Sequence, residues 1–131
     1  MKVDAKALLD QARRAAARAY APYSRFPVGA ALLTASGRTV TGCNVENASY
    51  GLSICAERAA VFAAVAAGGA ERLQAVAIFS PEARPCPPCG ACRQVLAEFG
   101  DDEMAVILEG EDGRPEATTL GALLPRAFRH A

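Results

Sequence analysis

Apolar residues recur at helical spacing near the start of the chain. Leu8, Leu9, Ala12, Ala15, Ala16 and Ala19 form one stripe, with Arg13, Arg14 and Arg18 off it. The pattern predicts a helix capped by Asp4, running to about Tyr20 and ended by Pro22. Residues 21–27 hold two prolines and read as an ordered loop. Val28 to Thr34 and Arg38 to Val45 are predicted as the strands of a hairpin turning at Ala35-Ser36-Gly37. Glu46 to Ile54 is polar and irregular. A helix is predicted from Cys55 to Ala67, with Ser53 near its N-cap and Gly68-Gly69 as its stop. Leu73 to Ser80 reads as a buried strand, and the four-proline run Pro81 to Pro88 as a rigid loop. A further helix starts near Cys89 and stops at Gly100, and a strand follows over Met104 to Leu108, then a turn over Gly110 to Gly113. Thr118 or Thr119 either finishes a last short strand or caps a terminal helix through Leu124. Strands alternating with helices predict an α/β fold, a three-layer α/β/α sandwich. The opening hairpin must be antiparallel, so the sheet is mixed.

Composition narrows the picture. The 131 residues fit one domain, 1–131, and a hydrophobic fraction of 52% is ample for its core without disulfide staples. Lys plus Arg and Asp plus Glu are both 14, which argues against a nucleic-acid partner. With no Trp and 6% aromatics, platforms for stacking a polynucleotide are scarce. The five cysteines are Cys43, Cys55, Cys86, Cys89 and Cys92; the odd count and the C-x-x-C-x-x-C run favour metal or catalytic use in a reducing compartment. Met1-Lys2-Val3-Asp4 has no apolar h-region, and the stretch from Ala59 to Ala70 is short and broken by glycines. A cytoplasmic protein with no membrane partner is the expectation.

The chemistry concentrates in Ser53-Ile54-Cys55-Ala56-Glu57-Arg58 and Pro88-Cys89-Gly90-Ala91-Cys92-Arg93. Both look like helix starts, where the helix dipole favours thiolate over thiol. Cys89 and Cys92 share a helical face, and Pro88 suits a first turn. Three thiolates suit Zn2+ and leave one coordination position for water, the pattern of a catalytic site. Glu57, two residues from Cys55, lies off the ligand face and is free to move protons, so the set reads as a hydrolytic centre. Arg58 and Arg93 are expected to donate to the sulfurs and draw charge off them. A thioredoxin-like pair is the rival for Cys89 and Cys92, but explains neither Cys55 nor Glu57. A closed structural zinc with Cys86 as fourth ligand is the other rival; it leaves Glu57 without a purpose. Cys43 reads as a buried strand thiol, and His130 as a solvated tail residue.

The order Cys-x-Glu then Pro-Cys-x-x-Cys resembles the zinc deaminase signature, which often has His at the first position. Further segments resemble a cytidine deaminase of the small homotetrameric type. They are Pro22-Tyr23-Ser24-Arg25-Phe26-Pro27-Val28-Gly29-Ala30-Ala31, Gly42-Cys43-Asn44-Val45-Glu46-Asn47-Ala48-Ser49-Tyr50-Gly51, Cys55-Ala56-Glu57-Arg58-Ala59-Ala60, Pro88 through Leu96, and Leu123-Leu124-Pro125-Arg126-Ala127-Phe128. The resemblance implies one zinc per chain on Cys55, Cys89 and Cys92, with Glu57 as proton shuttle. It implies that Asn44 and Glu46 bond ribose hydroxyls, that Phe26 packs against the nucleoside and that the Ala56 backbone holds the base. Ala48, Tyr50 and Phe128 would lie near a neighbouring subunit's pocket. The family does not require a cysteine where this chain has Cys86. The implied reaction is hydrolytic conversion of cytidine or deoxycytidine to uridine or deoxyuridine with release of ammonia, in pyrimidine salvage. A blasticidin-type antibiotic is the alternative substrate, and Asn44-x-Glu46 tilts the choice toward a nucleoside.

Overall fold

The computed structural model describes residues 3–130, so the Met1 and Lys2 part of the N-terminal expectation lies outside the described residues. The elements are α1 (Ala5–Ala16), β1 (Gly29–Thr34), β2 (Thr39–Cys43), α2 (Ala56–Gly68), β3 (Leu73–Phe79), α3 (Gly90–Phe99), β4 (Ala105–Glu109), β5 (Pro115–Thr119) and α4 (Leu120–Leu123), with a single 3-10 turn at Tyr50–Leu52. The five strands form one mixed sheet in the order β2-β1-β3-β4-β5. Only β3 and β4 run parallel, with α3 crossing between them; the other neighbours are antiparallel.

Strand alternation divides the core between the two faces. Leu8, Leu9, Ala12 and Ala16 of α1 pack on Ala31, Ala75, Ala77, Phe79 and Ile107. On the other face Ala56, Ala60, Val61 and Ala64 of α2 and Leu96 and Ala97 of α3 cover Ala30, Leu32, Val76, Ile78, Val106 and Leu108. Helices on both sides of the sheet give the expected three layers. Two glycines set how closely the helices sit. A Cβ on Gly29 would lie 2.0 Å from the Ala12 carbonyl oxygen, and one on Gly42 would lie 2.5 Å from the Ala60 nitrogen and 2.7 Å from the Ala56 oxygen. The second contact seats the first turns of α2 directly on β2.

The element boundaries depart from the periodicity in instructive places. Asp4 caps α1 as expected, accepting from the Ala7 N–H at 3.0 Å. The helix ends at Ala16 rather than near Tyr20, because the Tyr20 backbone is taken by long-range bonds to the Asn44 carbonyl (3.0 Å) and the Glu46 N–H (2.8 Å). Likewise β2 stops at Cys43, and Val45 bridges Tyr20 and Ile54. The N-cap of α2 is Cys55, not Ser53; the Ser53 hydroxyl accepts instead from the Asn47 N–H at 3.0 Å. Thr119 does both things open to it: it ends β5, and its hydroxyl caps α4 by accepting from the Ala122 N–H at 3.2 Å. Among the described residues no helix is long and apolar enough to cross a membrane.

The strand register puts Gly29 opposite both Cys43 and Phe79, so β1 begins where β2 and β3 end. The parallel strand β4 ends at the same edge. Loops leaving that edge carry Phe26, Asn44, Glu46 and Cys86 toward the N-termini of α2 and α3. In open α/β sheets this carboxyl edge of the parallel strands is where ligand crevices form.

Candidate active site

Cys55 and Cys89 occupy the N-cap positions of α2 and α3, and Cys92 lies in the first turn of α3. Neither cap sulfur accepts from the backbone N–H groups of its own helix, so both can turn toward each other. The Sγ atoms of Cys55, Cys89 and Cys92 all lie within 4.8 Å of one another, with Cys55 and Cys89 at 3.9 Å. A tetrahedral zinc with Zn–S bonds of about 2.3 Å spaces its sulfurs about 3.8 Å apart, so this donor set fits the ion. Two helix N-termini add positive potential at the cluster.

The electrostatics of the metal-free cluster point the same way. The Cys55 thiol is pushed down to about 5, first by the hydrogen bond from Cys92 and then by Arg58, with partial burial opposing. Cys92, the donor to that thiolate, is pushed up by the same bond and by burial. Negative charge is already concentrated where a cation would sit. Arg58 Nη2 donates to Cys55 Sγ at 3.2 Å, which offsets part of the formal negative charge of three thiolates on a divalent ion.

Arg93 corrects the expectation that it also donates to sulfur. Its Nε donates to the Pro88 carbonyl at 2.7 Å and its Nη1 to the Leu123 carbonyl at 2.7 Å. It ties the ligand loop to α4. Cys86 corrects the four-cysteine alternative: among the described residues the metal-binding cluster comprises the other three. The Cys86 thiol is buried and pushed up to about 11, chiefly by burial and further by the Glu57 charge, which is poor preparation for a ligand. Cys43 ends β2 half-buried, and His130 is exposed.

Glu57 is 4% exposed in the first turn of α2. Burial pushes its carboxyl up to about 7, and the Cys55 thiolate adds to the effect. A carboxyl poised there can both accept and release a proton near neutrality. It opens onto a cleft of about 430 Å³ lined by Phe26, Asn44, Glu46, Tyr50, Ala56 and Cys86, together with the ligand helices. A hollow of about 530 Å³ on the α1 side, between Arg13 and Pro81, is larger, but neither a cysteine nor a carboxylate lines it.

The far end of the cleft is built from loops. Asn44 Oδ1 accepts from the Val28 N–H at 2.8 Å, and its Nδ2 donates to the Phe26 carbonyl at 2.8 Å. The Glu46 carboxylate accepts from the Tyr23 N–H at 2.9 Å, the Ser24 N–H at 3.1 Å and the Ser24 hydroxyl. Those bonds, the Ser24 hydroxyl first, hold the Glu46 carboxyl below its ordinary range. The residues expected near a neighbouring subunit are on the surface: Ala48 is exposed, Tyr50 is 75% exposed and Phe128 74%. The Tyr50 ring meets Tyr23 edge-on at 6.0 Å, and the Phe128 carbonyl accepts from Gln94 Nε2 at 2.9 Å.

The family model for the cytidine and deoxycytidylate deaminase zinc-binding region matches residues 2–108. The chain belongs to that family. It is a zinc-dependent hydrolytic deaminase, with a cysteine cluster that fits one zinc per chain. It is 46% identical over 126 residues to a cytidine deaminase of Sporosarcina psychrophila, covering 96% of this chain and 92% of that one. A cytidine deaminase of Mycobacterium tuberculosis is 51% identical over 126 residues, covering 96% and 90%. The crystal structure of cytidine deaminase from Burkholderia pseudomallei superposes with a TM-score of 0.86 at 50% identity, over 94% of this chain and 98% of that one.

Within this deaminase cleft Ser24 has a structural use that the spacing of the motifs does not reveal. Its position in a polar, proline-bounded loop was a signal, since serine hydroxyls in such loops bond nearby backbone N–H groups. Its second bond, to Glu46 twenty-two residues away, leaves no trace in local spacing.

Proposed function

We propose that Cys55, Cys89 and Cys92 hold zinc and that Glu57 is the catalytic acid and base in the hydrolytic deamination of cytidine and deoxycytidine. The observation that carries this is a buried carboxyl beside three converging thiols, facing a cleft of nucleoside size. When bound, zinc supplies Lewis-acid activation of the attacking water. Glu57 takes the proton from that water and delivers it to ring N3, which makes C4 electrophilic. Water oxygen bonds to C4. Glu57 then relays the second proton to the exocyclic amino group, the C4–N bond breaks, and ammonia leaves. The products are uridine and deoxyuridine.

The remaining residues bind and orient. The Ala56 N–H, at the start of α2, has no partner within its own helix and is available to the base. Asn44 and Glu46 hold the ribose hydroxyls, and Phe26 packs against the nucleoside. Arg58 steadies the Cys55 sulfur, and Arg93 steadies the loop that carries Cys89. The ultraviolet spectrum of cytidine, followed with and without a chelator on protein of measured zinc content, tests the reading. Conversion that tracks bound zinc is expected; conversion independent of zinc overturns it.

We further propose a homotetramer in the cytoplasm, serving pyrimidine salvage, in which Ala48, Tyr50 and Phe128 border a neighbouring copy's cleft. The exposure of Tyr50 and Leu52 side by side in one short turn, with Phe128 also exposed, supports this, because large apolar side chains on a surface mark contact faces when a partner covers them. Light scattering that returned a monomer at assay concentration would remove it.

A further inference from the structure

Ser24 is exposed, touches no sulfur and belongs to no helix or strand. Nevertheless four polar contacts converge on it and its neighbours. Its hydroxyl donates to Glu46 Oε2 and accepts from the Phe26 N–H at 3.0 Å. Its own N–H and that of Tyr23 donate to Glu46 Oε1, at 3.1 and 2.9 Å. Between Ser24 and Phe26, Arg25 sits at a φ of 57°, the left-handed region that a non-glycine residue enters only when its surroundings require it. The Arg25 N–H closes the turn onto the Ala21 carbonyl at 3.0 Å. One hydroxyl therefore joins two cleft-lining residues from different parts of the chain, Phe26 and Glu46.

We infer that Ser24 is a positioning residue for the sugar of the substrate, acting by aiming the Glu46 carboxylate and fixing the backbone of Phe26. This rests on the nucleoside-deaminase reading above and adds to it a determinant of ribose recognition. A carboxylate has about four acceptor directions. Three here are spent on the loop, so the direction left for a ligand hydroxyl is set by which N–H and O–H groups take the others. Removing the serine hydroxyl frees the carboxylate to rotate and loosens Phe26 at the same time. It leaves Glu57 and the sulfur cluster, in the first turns of α2 and α3, untouched. Every nucleoside meets Phe26, but only those with sugar hydroxyls also meet Glu46, so the larger effect falls on ligands that carry those hydroxyls.

The test compares Ser24→Ala with the unaltered zinc-loaded protein, using KM and kcat for cytidine and the inhibition constants of uridine and 2′,3′-dideoxyuridine. Loss of one charge-assisted hydrogen bond is expected to raise KM for cytidine and the inhibition constant of uridine by roughly tenfold. The turnover number should stay within about twofold, the dideoxy compound should weaken far less than uridine, and Ser24→Thr should restore the lost affinity. If both ligands weaken equally, or neither weakens, the inference is overturned. If the unaltered protein does not turn cytidine over at all, the failure belongs to the deaminase reading instead. Should Ser24→Ala not fold, Ser24→Thr against Ser24→Val asks the same question with side chains of one shape that differ by the hydroxyl.

Discussion

The two ends of the cleft are built by different means. At the sulfur end, each functional group sits on the first turn or cap of a helix with one face buried in the core: Cys55 and Glu57 on α2, Cys89 and Cys92 on α3. At the sugar end the groups lie on loops, held by side chains that bond the backbone: Asn44 to Val28 and Phe26, Glu46 to Tyr23 and Ser24. At the first end Glu57 and Cys92 are buried beneath an exposed Cys89, and desolvation and mutual charge shift the proton affinities of Glu57, Cys55 and Cys92. At the second the Glu46 bonds are exposed, so water competes with them, and the Asn44 bonds are half-buried. Chemistry that needs a carboxyl poised near neutrality belongs at the dry end. Recognition of hydroxyl groups, which needs direction more than field strength, can be left at the wet one.

The contrast breaks most visibly at Glu57. Glu57→Gln keeps shape and burial but cannot carry a proton, so kcat should fall by about 10²–10⁴-fold, read by steady-state rates with zinc content unchanged. Full turnover in a zinc-replete variant would end the shuttle role. The next effect concerns stability in the zinc-free protein. The Glu57 carboxyl rises from its ordinary 4.5 to about 7 on folding, so the folded state holds the proton more tightly than the unfolded one. Its contribution is fully present below its unfolded pKa and is lost as pH rises through about 7. Between about pH 5 and about pH 8 the zinc-free protein should lose on the order of 2 kcal/mol relative to Glu57→Gln, measured by urea unfolding. Parallel curves would show that the carboxyl is not desolvated.

The smallest effect is expected at the sugar end. Asn44→Ala leaves the Val28 N–H and the Phe26 carbonyl without their side-chain partner, at a cost of about 1–2 kcal/mol in urea unfolding. It should raise KM for cytidine while changing kcat far less than Glu57→Gln does. An equal loss in kcat would mean that the two ends are not separable.

The dry end was also the legible one. Cysteine spacing is a local pattern, and helices preserve local patterns in space; Pro88, expected in the first turn of α3, instead precedes its N-cap Cys89. The apolar stripe of α1 and the alternation of β1 and β3 were readable for the same reason. What escaped were bonds between residues distant in sequence. Arg93 was expected at a sulfur because it follows one closely; it reaches the Leu123 carbonyl, thirty positions along, instead. Ser53 was expected to cap α2, but its hydroxyl went to Asn47 and left the cap to Cys55. The end of α1 was misplaced because Tyr20 is drawn into pairing with Asn44 and Glu46. Cys86 fell between the two cases: its spacing fits a ligand, but the proline-bounded loop seats it against Glu57 outside the cluster.

One arrangement reaches beyond catalysis. Cys55 and Cys89 stand 34 positions apart, and the chain between them contains all of α2 and β3. An ion gripping both closes a ring around a central strand, a clasp made without any covalent cross-link. The three thiols converge only in the folded chain, so binding of the ion is coupled to folding. Stripping the metal should therefore loosen both helix starts together, leaving paired sulfurs bare to oxidants at the moment the enzyme falls silent.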